Sequence, residues 1–106
     1  MSVREETTVR EDEETTAMVI AGLRERIDHV DAEIRALIAR RRSLSRQVQR
    51  ARIAGGGRRT DFSREMRVTS PYTEAFGRQG TTIALALLEI GRGAGTGQGP
   101  GLDEAA

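Results

Sequence analysis

The residues from Leu23 to Arg52 constrain this chain more than any others, because one apolar stripe runs their whole length. Leu23, Ile27, Val30, Ile34, Leu37, Arg41, Leu44, Val48 and Ala51 follow one another at alternating steps of four and three. Arg52 closes the stripe four residues after Val48. This spacing brings its members to one face of a helix and suits packing against a second helix. At a rise of about 1.5 Å per residue, the seam is about 45 Å long. Two of its positions are arginine. A guanidinium keeps its proton in a protein, so on a buried seam it must meet a fixed anion. Arg41 and Arg52 therefore suggest a pocket for an anion. The plainer alternative is that their stems lie along apolar surface and lift the charge into water.

Around the seam the chain punctuates itself. Residues 1–16 hold six acids against Arg4 and Arg10, with almost nothing to bury, and read as a disordered acidic lead. Thr15 or Thr16 is placed to cap the long helix, and Gly22 weakens its first turns. Gly55-Gly56-Gly57 ends it. After the loop Arg58-Arg59-Thr60, Thr60 or Asp61 caps a second helix with a weaker stripe of Met66, Val68, Tyr72 and Phe76. Pro71 inside it predicts a kink or an interruption. Gly77 to Gly80 reads as a turn. Ile83 to Ile90 forms a third helix, apolar nearly all round and so expected to be buried, with Gly91 closing it. Glycines at 93, 95, 97, 99 and 101 mark a flexible tail over residues 94–106. The expected helical domain is residues 17–93. Its first helix is too long for the other two to cover, and aromatic residues are only 3 % of the chain. A second copy lying along the seam, a homodimer, is the expected remedy.

Charge narrows the partner. Net charge is +1, yet residues 23–67 hold thirteen arginines against six acids. All seventeen basic residues are arginine, the better fork for carboxylate or phosphate. Those between 40 and 50 other than Arg41 read as a solvated face, and Arg58 and Arg59 as loop solubilisers or guards of a pocket mouth. With no cysteine, thiolate chemistry and disulfides are excluded. The single histidine, His29, and the scattered acids suggest no metal-ligand set. No signal peptide or membrane-length apolar run is visible, so a cytoplasmic protein is expected.

Certain segments now stand out together: Leu23-Arg24-Glu25-Arg26-Ile27-Asp28, Asp31 to Ile34, Leu37 to Arg41, Ala51-Arg52, Ser63-Arg64-Glu65-Met66, and Leu87 to Gly93. In this order and at this spacing the chain resembles the all-helical class of chorismate mutase over about residues 20–93. The resemblance implies an all-α fold with one long and two short helices in an intertwined homodimeric bundle. It implies an isomerase that turns chorismate into prephenate in the shikimate pathway, on the way to phenylalanine and tyrosine, with no cofactor. By position, Arg24 is the arginine lent to the partner chain's site. Arg41 and Arg64 join it in holding the substrate's two carboxylates. Arg52 matches the basic residue at the ether oxygen, Glu65 the acid that takes the ring hydroxyl, and Asp61 a loop position whose backbone helps hold that hydroxyl.

The last helix lacks the serine and glutamine that contact substrate in the better-known branch. In that respect the chain resembles a short subclass activated by complex formation with DAHP synthase. Other readings compete. Isochorismate pyruvate-lyase and amino-chorismate mutase activities share the fold and the arginines. A helical dimerisation module or arginine-rich nucleic-acid binder fits the local charge excess, but the arginines also fall on the apolar seam and aromatics for stacking are nearly absent. The resemblance favours a small dianion over nucleic acid or membrane.

Overall fold

The structure, a computed structural model, describes residues 3–57 and 61–93. The expected loop over 58–60 and the expected tail over 94–106 lie outside them. Among the described residues there are two helices, α1 (Val3–Ala54) and α2 (Phe62–Arg92), and no strand. The chain divides into two units, Met1–Ala36 and Leu37–Ala106.

In the first unit the helix begins at Val3, not at Thr15 or Thr16. Residues 3–16 of the expected acidic lead are helical. This stretch has no internal glycine or proline, and glutamate is a good helix former. Glu6 lies four residues before Arg10, the order that favours helix formation. Extending a helix already nucleated is also far easier than starting one. Gly22 does not interrupt it. Leu23, Ile27, Val30 and Ile34 are 46–57 % exposed.

The second unit begins with the end of α1. The helix stops at Ala54, and the amides of Gly55, Gly56 and Gly57 bond back to the carbonyls of Ala51, Ile53 and Arg52. Gly56 takes a φ of 80°, where a side chain is disfavoured. Asp61 opens α2: its backbone is extended, and its Oδ1 accepts from the Arg64 amide at 3.1 Å. This is the expected N-cap, and it satisfies one of the four orphan amides of the first turn.

Three expectations for α2 need correction. The helix runs on through Pro71. Proline removes a single ladder bond, while the hydroxyls of Thr69, Ser70 and Thr73 bond to carbonyls four residues back in the same stretch. Second, no loop separates the expected second and third helices: they are two stretches of one kinked element, α2, so the elements number two rather than three. The four-residue turn shrinks to one non-helical residue, Gly77, at φ 65° and ψ −140°. The chain folds back there. The Thr73 and Thr81 hydroxyls meet at 2.5 Å, whereas eight residues of straight helix span about 12 Å. Arg92 reaches Glu65 from 27 residues away, which a straight helix would hold about 40 Å off. Third, α2 closes with Gly93 (φ 74°), whose amide bonds to the Ile90 carbonyl, and not with Gly91.

The returning half of α2 lies close to the first half of α2 at Gly80 and to α1 at Gly91. Gly80, Ala84, Leu87 and Gly91 are its buried positions. A Cβ on Gly80 would collide with the Tyr72 carbonyl, and one on Gly91 would lie 2.6 Å from Ser45 Oγ. Ile83, Leu85 and Ile90 remain exposed. The expectation that this helix is buried all round therefore holds for one face of the single chain only.

Candidate active site

Within the second unit a cavity of about 300 Å³ opens between α1 and both halves of α2. From α1 it receives Arg41, Leu44, Ser45, Val48, Gln49 and Arg52. The start of α2 adds Asp61, Arg64, Glu65 and Val68, and its end adds Leu88 and Arg92. Helical spacing explains the α1 wall, since positions 41, 45, 48 and 52 recur every three or four residues. Four arginines face two acids, so the lining is electropositive. Leucine and valine supply an apolar floor that limits the water able to screen those charges.

Arg41 is half-buried, and its Nη1 donates to the Leu87 carbonyl at 3.1 Å. That bond anchors the guanidinium. A guanidinium has five N–H groups, and among the described residues no other acceptor meets those of Arg41. Arg64 is exposed at the rim, and among the described residues its guanidinium has no acid partner. Asp61 commits one carboxylate oxygen to the helix cap, and its carbonyl accepts from the Glu65 amide at 3.0 Å. Glu65 Oε1 accepts from Arg92 Nη1 at 2.5 Å. Its own carbonyl accepts from the Thr69 hydroxyl.

Five of the six residues singled out in the sequence therefore line one cavity: Arg41, Arg52, Asp61, Arg64 and Glu65. Arg24 lies in the first unit, exposed, and is not part of this lining. The solvated face expected for the neighbouring arginines is corrected at Arg42 and Arg46, which are half-buried. Gln49 and Arg92 escaped the sequence reading, Arg92 because it adjoins the glycine-rich tail. Its spacing of four from Leu88 was the available signal, for it puts both on one helical face.

A model of the chorismate mutase type II family matches residues 23–82. An intracellular chorismate mutase of Mycobacterium tuberculosis is 49 % identical over 74 residues, covering 70 % of each chain. That of Mycolicibacterium smegmatis is 46 % identical over 74 residues, covering 70 % of this chain and 71 % of its own. Among solved structures, a non-covalent complex of DAHP synthase and chorismate mutase from Corynebacterium glutamicum, with a bound transition state analog, contains a similar chain. The TM-score is 0.71 at 32 % identity, over 74 % of this chain and 94 % of that one. Among the described residues no helix is long and apolar enough to cross a membrane.

Proposed function

We propose what the arginine-lined cavity does from one premise: the chain belongs to the chorismate mutase type II family. The cavity holds chorismate and converts it to prephenate. In this rearrangement the ether C–O bond breaks as a C–C bond forms within one molecule. No nucleophile attacks and no proton need be transferred. The barrier falls when the folded, diaxial conformer is held and when positive charge is fixed where the ether oxygen gains negative charge.

Arg41 and Arg64 bind the substrate's carboxylates, and Arg52 donates to the ether oxygen. Glu65 accepts from the ring hydroxyl, supported by the backbone at Asp61. The observation that carries this reading is the convergence of Arg41, Arg52, Arg64 and Glu65 on one cavity from two helical stretches. Arginine suits the task because it stays charged and pairs with carboxylates through two donors at once. The decisive experiment is turnover of Arg52→Ala. Loss of one oriented donor lowers kcat by about 10²–10³-fold with little change in the circular dichroism spectrum. Turnover within a few-fold of wild type would sink the mechanism.

A second copy covers the open seam of α1 and lends its Arg24 to the cavity, so the working unit is a homodimer with residues 17–93 as its domain. A DAHP synthase is also proposed as a partner, supported by the Corynebacterium glutamicum complex. The chain alone then turns over modestly, and adding the synthase raises kcat/KM roughly tenfold or more. Rates that do not respond to excess synthase argue against this partner.

A further inference from the structure

We propose that Arg92 is a positioning residue: it holds one oxygen of Glu65 so that the other accepts the substrate's ring hydroxyl. The inference rests on the role given above to Glu65. Arg92 Nη1 lies 2.5 Å from Glu65 Oε1, with side-chain exposures of 39 % and 23 %. Among the described residues nothing bonds to Oε2. The two residues stand at opposite ends of α2 in sequence and meet because the chain reverses at Gly77. Both line the cavity.

A glutamate carboxylate turns freely about its last torsion, which has broad preferences. A short charge-assisted bond from a planar guanidinium removes that freedom. Arg92 itself is fixed, as the last helical residue beside Gly93, whose amide returns to Ile90. A cation there also suits the negative end of the helix dipole. Lastly, Arg92 differs from its cavity neighbours Arg41 and Arg64, which have no acid partner among the described residues. Its Nη1 is given to the Glu65 carboxylate, and through that bond it acts on the substrate.

The test is a double-mutant cycle on the full chain, with Arg52→Ala assayed alongside. Arg92→Ala lowers kcat about tenfold or more with KM little changed, and Arg92→Lys recovers most of the loss. In the Glu65→Gln background, Arg92→Ala produces no further fall, because the group it acts through is already altered. If the two losses multiply, or if the Arg92 loss lies wholly in KM, the inference is overturned. Should Arg92→Ala fail to fold, the same cycle is read with Arg92→Lys and Arg92→Gln. An Arg52→Ala chain that keeps wild-type turnover defeats the reading of the cavity itself. A dead Arg52→Ala with an undiminished Arg92→Ala defeats only the role of Arg92.

Discussion

Glycine at position 91 sets how closely α1 and the end of α2 can meet. Its missing side chain makes room for Ser45 and leaves Arg41 near enough to bond the Leu87 carbonyl. A Cβ there would sit 2.6 Å from Ser45 Oγ and 3.0 Å from Ser45 Cβ, so the helices must part or Ser45 must move. Parting them draws Leu87 away from Arg41 and loosens an arginine that binds substrate in the proposed site. Gly91→Ala is expected to lose about 1–3 kcal/mol of stability, as overpacked sites do, and to raise KM. Urea denaturation and steady-state kinetics check the two effects. Ser45→Gly in the same chain should restore much of both; if it restores neither, the contact is not the cause.

At the scale of the element, much was legible because helices announce themselves by period. The stripe from Leu23 to Arg52, the glycine stop after Ala54 and the Asp61 cap each rest on local chemistry, and each stands where the sequence reading put it. The reversal within α2 was legible as a glycine-rich turn, but not that Gly77 alone would break the helix. Nothing local distinguishes a glycine that bends the chain from one that lets helices approach, as Gly80 and Gly91 do. The helix over residues 3–16 was not legible for a related reason. Their composition holds few apolar residues, yet a helix growing from its neighbour needs none. Arg92 was missed because its partner Glu65 is 27 residues away, a separation that only the folded hairpin closes.

At the scale of the whole molecule, the uncovered seam is the dominant fact. Leu23, Ile27, Val30, Ile34, Leu37, Leu44 and Val48 are all exposed in the single chain, and full burial of each contributes about 1.5–3 kcal/mol. The proposed homodimer supplies that burial. It also makes a sharp prediction, because each site takes Arg24 from one chain and Arg52 from the other. Arg24→Ala and Arg52→Ala chains are each nearly inactive alone. Co-refolded in equal amounts, they regain roughly one quarter of wild-type activity, since half of the pairs are mixed and each mixed pair keeps one intact site. A mixture no better than its components rules out the shared site. Among the described residues, the apolar side chains buried within a single copy are only Ala84 and Leu87. Folding and assembly then become a single event, and dilution acts as a denaturant: the thinner the solution, the lower the temperature at which the helices come apart.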